Sequence, residues 1–283
     1  MRKINVGGVP EHFNLPWHLC LEEGAFIKAG LQVNWKDFPD GTGAMCAALR
    51  SREIDLAVIL TEGITKDIIA GNPSKIVQEY IGTPLIWGIH VAANSDYREL
   101  EDLKNEKVAV SRMGSGSHLM AYINAKNLNW NPEELEFEVV GNTQGAIEAL
   151  ENGKAGYFLW EHFTTKPLVD NGTFRRLGDC TSPWPCFVIA GNSKFLKNNR
   201  QALSDLLGIL NETTEKFKSI PGIGSVLSKK YQQKPEDIEQ WLKLTNWSQK
   251  QISIMEIDRV QEELLELGLI EEKQENSRFL DHF

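Results

Sequence analysis

As far as Ala190, short runs of consecutive apolar residues take turns with stretches in which apolar residues recur at every third or fourth position. The first pattern is that of strands covered on both faces, the second that of helices with one buried side. Strands are predicted over 4–9, 31–35, 54–60 and 75–81. A helix beginning at Trp17, with Cys20, Leu21 and Ile27 on its apolar side and Gly30 as its stop, joins the first two strands. A second helix passes through Met45, Ala48 and Leu49, and a third spans 64–70. The long apolar segment 84–92 then reads as a strand crossing to a second lobe. There the pattern repeats: strand 107–110, a helix with Met120 and Ile123 on its apolar face, strand 137–140, helix 142–151 and strand 156–160. A second apolar segment, 183–190, reads as the return crossing. Beyond Lys194 only helical periodicity remains, marked by Leu203, Leu206, Leu207 and Leu210, punctuated by Pro221 and Pro235, and ending on Val260, Leu264, Leu265 and Leu267 near Gly268.

A loose internal repeat runs through this pattern. Ala48-Leu49 precede the run Leu56-Ala57-Val58 and Glu62, as Ala149-Leu150 precede Tyr157-Phe158-Leu159 and Glu161. Each half therefore holds a helix, a buried strand and a carboxylate at the strand's end, where open α/β sheets bind ligands. Two turns of small residues open helices: Gly41-Thr42-Gly43 in the first half, and Ser115-Gly116-Ser117-His118 in the second. Such turns set free N–H groups and hydroxyls at the positive end of a helix, suited to a small polar or anionic group, or to nothing more than a helix cap.

Composition narrows the choices. The chain has 283 residues, 41% hydrophobic and 24% charged, enough for one large or two medium domains with a sizeable core. A formal net charge of -9 argues against a nucleic-acid surface or an anionic membrane as partner. No apolar run reaches the ~18 residues of a membrane-spanning helix. The first strand starts almost at Met1, so a cytoplasmic location is expected as the sequence stands, and a periplasmic or cell-surface one if a leader precedes it. Cys20, Cys46, Cys180 and Cys186 form no CxxC or Cys/His pattern. Free buried thiols are expected, with a Cys180–Cys186 bridge left open. No phosphate loop, HExxH, GxSxG or GxGxxG after a strand is present, and no metal or cofactor is expected.

The phrases Gly24-Ala25-Phe26 with Gly30-Leu31-Gln32-Val33, Glu53-Ile54-Asp55-Leu56-Ala57-Val58, and Leu100-Glu101-Asp102-Leu103 through Val110 resemble the substrate-binding proteins of nitrate, sulfonate and taurine importers. The pyrimidine-precursor proteins of thiamine synthesis share that type II periplasmic-binding fold. Ile257-Asp258-Arg259-Val260 and Leu267-Gly268-Leu269-Ile270 fit the family's last helix. The resemblance covers nearly the whole chain. It implies two Rossmann-like α/β lobes joined by two crossing strands, with lobe I formed by 1–88 and 189–283, lobe II by 89–188, and the C-terminal helices on lobe I. It implies hinge closure on a small ligand, an ABC permease as partner, and a monomer.

Carried over position by position, the ligand-lining residues would be Pro10, Glu11, His12, Gly41, Thr42, Gly43, Thr61 and Glu62 in the first lobe. In the second they would be Ser115, Gly116, Ser117, His118, Trp160 and Glu161. Trp160 would stack on a planar ligand, or else be a core aromatic. Glu62 and Glu161 would each pair with an amine or amidine edge, or else cap a neighbouring helix. His12 and His118 read as polar liners rather than bases, and Trp87 and Trp184 as packing at the crossings. The set favours a zwitterionic or amino-heterocyclic ligand, such as a taurine-like sulfonate or an aminopyrimidine, over a plain oxyanion. No catalytic residue is assigned. The rival reading is a cytoplasmic enzyme on the same scaffold, of the pyrimidine-synthesis or menaquinone-pathway type.

Overall fold

A computed structural model describes residues 1–281. The chain divides into two compact units, Met1–Thr83 with Trp184–Phe283, and Pro84–Pro183. In the first unit β1 (Arg2–Gly8) leads through α1 (Leu15–Glu22) and α2 (Ala25–Lys28) to β2 (Leu31–Asp37). Next come α3 (Thr42–Ser51), β3 (Leu56–Leu60), α4 (Thr61–Ile69) and β4 (Ser74–Ile81). The second unit holds β5 (Ile86–Ala92), β6 (Val108–Val110), α5 (Gly116–Asn127), β7 (Phe137–Val139), α6 (Thr143–Glu151), β8 (Tyr157–Glu161), α7 (Lys166–Asp170) and β9 (Phe174–Thr181). The chain returns to the first unit with β10 (Phe187–Asn192), followed by α8 (Ser193–Asn198), α9 (Arg200–Lys216), α10 (Ile223–Tyr231), α11 (Pro235–Leu244) and α12 (Ile254–Glu266).

Each unit is built on one five-stranded sheet, in the orders β2-β1-β3-β10-β4 and β7-β6-β8-β5-β9. The two have the same plan. Three parallel strands come first, then one antiparallel strand supplied from the other end of the chain's excursion (β10 or β5), then an outer strand. The central strands are apolar because both faces are covered: Leu56, Ala57, Val58 and Ile59 of β3 are wholly buried, as are Tyr157, Phe158 and Leu159 of β8. The first unit's core draws in the C-terminal segment, where Ile257, Phe279 and Leu280 pack with Ile64, Ile68 and Ile76. In the second unit Ala109, Ala146, Ala149, Phe158 and Phe174 close a core of their own. Among the described residues no helix is long and apolar enough to cross a membrane.

Several sequence expectations need correction. The apolar segments at 84–92 and 183–190 are not strands running from one unit to the other. Strand β5 lies wholly in the second unit and β10 wholly in the first, and the chain changes unit at Thr83–Pro84 and Pro183–Trp184, five residues before the expected 88/89 and 188/189 boundaries. The prolines explain the offset, because a residue lacking N–H cannot extend a sheet ladder across the junction. The helix expected from Trp17 through Ile27 starts at Leu15 and is two helices, closed by the Gly24 N–H to the Leu21 carbonyl (3.1 Å); Phe26, not Ile27, is the buried member of the second. Helix α4 begins at Thr61 rather than at residue 64. Strand β9 was not expected, because Arg175, Arg176 and Asp179 give it the polarity of an outer strand with one face towards water. All four cysteines are free and buried. The expected end of lobe I, His282 and Phe283, lies outside the described residues.

Candidate functional site

In each sheet the parallel strands point their carboxyl ends to one edge, and at that edge the chain also enters or leaves the unit. In the first unit the edge is formed by the loop after β1, the turn before α3, the start of α4 and the segment leading into β10. The α3 turn requires a glycine: Gly41 sits at φ 73, ψ −154, a region closed to residues with a Cβ. Thr42 then lies so close to Gly63 that a Cβ placed there would be 2.3 Å from its methyl group, which brings the N-termini of α3 and α4 into contact. The Thr61 N–H donates to the Cys186 carbonyl (3.0 Å) and its hydroxyl to the Pro185 carbonyl (2.5 Å), so the start of α4 is tied to the segment where the chain returns.

Glu62, only 4% exposed, stands in the first turn of α4 and accepts a hydrogen bond from the Trp184 indole N–H (2.9 Å). Burial pushes its carboxyl up to about 7, against the pull of its own backbone N–H and of Trp184. No Lys or Arg among the described residues forms an ion pair with it. Trp184, expected as packing at a crossing, is therefore also the partner of the carboxyl.

The loop after β1 carries Pro10, Glu11 and His12. Asn14 braces it, donating from Nδ2 to the Val9 carbonyl (2.8 Å), and Phe13 packs its ring 4.1 Å from that of Phe187, the residue opposite Leu60 in the sheet. Pro10 is exposed and Glu11 half-buried, whereas His12 is buried. The His12 ring stacks on Trp241 at 4.0 Å and 15°, with Tyr231 tilted against it at 5.9 Å. Burial lowers its pKa to about 3, so the imidazole is neutral. The structure thus brings Glu11, His12, Gly41, Thr42, Thr61 and Glu62 to one edge of one sheet.

The second unit's edge has the same plan. Ser115 caps α5, its hydroxyl accepting from the His118 N–H (3.4 Å) and lying 3.0 Å from the Ser117 hydroxyl. Ser117 in turn accepts from the Ser111 N–H (3.0 Å). The His118 ring receives the Gly114 N–H at Nδ1 (3.1 Å), which leaves its proton on Nε2, and packs edge-on against Tyr122 and Phe137. Glu161, at the end of β8, is 7% exposed; burial raises its pKa, opposed by N–H groups of Thr164 (2.6 Å) and Phe163. Trp160 stacks on Phe158 at 5.2 Å and 20° and meets Trp87 edge-on at 6.4 Å. Trp160 packs against the second unit's core and is half-buried.

This architecture is the periplasmic-binding-protein fold, two α/β units each on its own mixed sheet. A family model described as Ca3427-like PBP matches residues 87–180. The chain is similar to the Candida albicans CA3427 gene product, described as exhibiting the generic periplasmic binding protein fold. The two share 23% identity, with 97% of this chain and 92% of that chain covered and a TM-score of 0.87. It is also similar to the alkanesulfonate-binding protein SsuA from Xanthomonas axonopodis pv. citri bound to MOPS (16% identity, 95% and 94% covered, TM-score 0.79). A third similar structure is the periplasmic aliphatic sulphonate-binding protein SsuA from Escherichia coli (16% identity, 100% and 92% covered, TM-score 0.75). No curated protein matches the chain.

Sequence reasoning missed the aromatic backing of His12. Tyr231 and Trp241 come from α10 and α11, more than two hundred residues along the chain, and only the punctuation by Pro235 marks that a helix starts there. No local pattern joins those rings to the β1 loop.

Proposed function

We propose that the protein is a solute-binding protein for a small polar ligand, held at the carboxyl edge of a sheet where a buried carboxyl stands. One observation carries this reading. Near the carboxyl ends of the central strands β3 and β8 stand two buried carboxyls, Glu62 in the first turn of α4 and Glu161 as the last residue of β8, each raised in pKa by burial and neither paired with a Lys or Arg among the described residues. A structural carboxylate so deeply buried is ordinarily neutralised by a cation, and perturbed groups of this kind gather at functional sites. An amine or amidine group on a ligand supplies the missing charge. The helix cap of Ser115 and the half-exposed Trp160 suit the polar and planar parts of the same molecule.

Sulfonate binding by proteins of this fold supports the solute-binding class, and the carboxyl pair favours a ligand that also bears an amino group: a zwitterion such as taurine, or an amino-heterocycle. Delivery to an ABC permease completes the role, with the chain acting as a monomer. A thermal-shift screen of taurine, MOPS and 4-amino-2-methylpyrimidine tests the reading. A ligand at a hundred times its Kd stabilises by about 2.7 kcal/mol, and that shift is expected from an amino-bearing compound and lost in Glu161→Gln. If no amino-bearing compound shifts the transition, or Glu161→Gln leaves the shift intact, the reading is wrong. An enzyme on the same scaffold would draw on Glu62, whose pKa of about 7 suits a general acid or base; turnover of a shifting compound would identify it.

A further inference from the structure

The outer margin of the first unit's sheet is strand β4, and two later segments of the chain cover it, one on each half. On the amino half the Ile76 N–H donates to the Phe279 carbonyl (2.7 Å) and the Asp281 N–H to the Ile76 carbonyl (3.1 Å). On the carboxyl half the Glu79 N–H donates to the Lys250 carbonyl and the Ser248 N–H to the Tyr80 carbonyl, both at 2.9 Å. Between them lie Val77 and Gln78, where β4 is also irregular. Gln78 stands opposite Ile189 and Ile76 opposite Ala190, so Val77 has no counterpart on β10. Bulges of this kind re-aim side chains and gather beside binding sites. A cavity of about 350 Å³ opens at this gap, with α9 forming another of its walls. That volume falls within the ~300–1,000 Å³ of small-molecule sites.

The lining is fixed and polar. Gln78 and Asn211 form a reciprocal amide pair, Gln78 Nε2 donating to Asn211 Oδ1 (2.8 Å) and Asn211 Nδ2 to Gln78 Oε1 (3.0 Å). Gln78 Nε2 gives its second hydrogen to the Ser248 carbonyl (3.2 Å). Asp281 also lines the cavity, and its carboxylate is held by Arg200 at 2.7 Å. The wall on α9 contains Gly208, in the middle of a 17-residue helix, where an added Cβ would meet nothing within 4 Å. Glycine weakens a helix interior relative to alanine, and here no contact within the described chain requires it. Its absent side chain leaves the helix backbone open to an occupant.

We propose that this cavity is a second binding site, and that it takes a neutral polyhydroxylated compound of monosaccharide size. It shares no residue with the carboxyl edges and stands whether or not they hold a ligand.

The chemistry of the lining selects the class. Once the bonds within the chain are made, Gln78 Oε1, Asn211 Oδ1 and Gln249 Oε1 each keep a lone pair, and Asn211 Nδ2 keeps a hydrogen. The Ser204 hydroxyl adds a group that both gives and accepts. Such a mixture matches hydroxyl groups, which are themselves donor and acceptor at once. An anion would face mostly acceptors and the Asp281 carboxylate, and a cation would find that carboxylate already paired with Arg200. Val77 and Leu207 supply the apolar part of the lining, suited to the C–H face of a sugar ring.

Isothermal titration of the full chain with D-glucose, D-galactose and myo-inositol, with taurine and sulfate as charged controls, tests the site. At least one neutral compound is expected to bind wild type with a Kd of about 1 mM or tighter. Gly208→Leu sets a side chain in the cavity from an open position and improves helix propensity. It is expected to melt at or above the wild-type temperature and to weaken that binding by about tenfold or more. Gln249→Ala, at an exposed position, should weaken it by about threefold or more. No binding of any neutral compound overturns the proposal, whatever the controls do. Binding that Gly208→Leu leaves at full strength overturns it too, and if that variant does not fold, Gln249→Ala decides by the same criterion. Sugar binding that is lost in Glu161→Gln would put the compound at the second unit's carboxyl edge, and likewise overturns the proposal.

Discussion

Glu62 offers the sharpest physical test in the first unit. Burial holds its carboxyl at about 7, against an ordinary value of 4.5. In the unfolded chain the proton leaves near the ordinary value; in the folded chain it leaves near 7. Between the two the folded state binds more protons, so this group's contribution to stability falls as pH rises through that window, is unchanged below it, and is fully lost above it. A gap of about 2.5 pH units, at about 1.4 kcal/mol each, sets a ceiling of about 3.5 kcal/mol. Glu62→Gln removes the titration and keeps an oxygen to accept from the Trp184 indole. Urea unfolding followed by tryptophan fluorescence should find the variant more stable than wild type by about 2–3 kcal/mol near pH 8 and equal to it near pH 4. Equal stability near pH 8, or a difference that grows towards acid, would show that Glu62 already has its charge met inside the folded chain.

Three further outcomes follow from the packing. Gly63→Ala should destabilise by about 1–3 kcal/mol despite the better helix propensity of alanine, because its Cβ would meet the Thr42 methyl at 2.3 Å; adding Thr42→Ser, which lacks that methyl, should restore wild-type stability or exceed it in the same urea assay. Trp241→Ala strips the stacking surface from His12 and the edge-on contact with Trp247, and should cost about 3–5 kcal/mol in thermal or chemical unfolding. All four thiols should react with a thiol reagent in denaturant and resist it in the native state, with no difference between reduced and non-reduced samples; a protected Cys180–Cys186 pair in denaturant would contradict the structure.

The sequence made the two-unit fold legible because its strands are buried on both faces and so read as unbroken apolar runs. The repeat from Ala48-Leu49 to Leu56-Ala57-Val58 and from Ala149-Leu150 to Tyr157-Phe158-Leu159 maps onto equivalent elements, α3–β3 and α6–β8, whereas Glu62 falls in α4 and Glu161 ends β8. What stayed hidden were features set by distant neighbours. The polar residues of β9 gave no strand signal, since an outer strand needs only one apolar face. The apolar runs after Thr83 and Pro183 looked like crossings because composition says that a strand is buried, not which sheet buries it. At the site, glycine and serine turns marked α3 and α5 correctly, whereas the pairing of Glu62 with Trp184 spans more than a hundred residues, and no periodicity records it. The same holds for His12 under Trp241.

The central claim is that the protein binds a small polar ligand through a buried carboxyl at the carboxyl edge of a sheet, and isothermal titration with 4-amino-2-methylpyrimidine tests it most directly. Binding to wild type is expected, and Glu161→Gln should weaken it by about tenfold or more. No binding to wild type, or binding that survives the substitution at full strength, would contradict the claim.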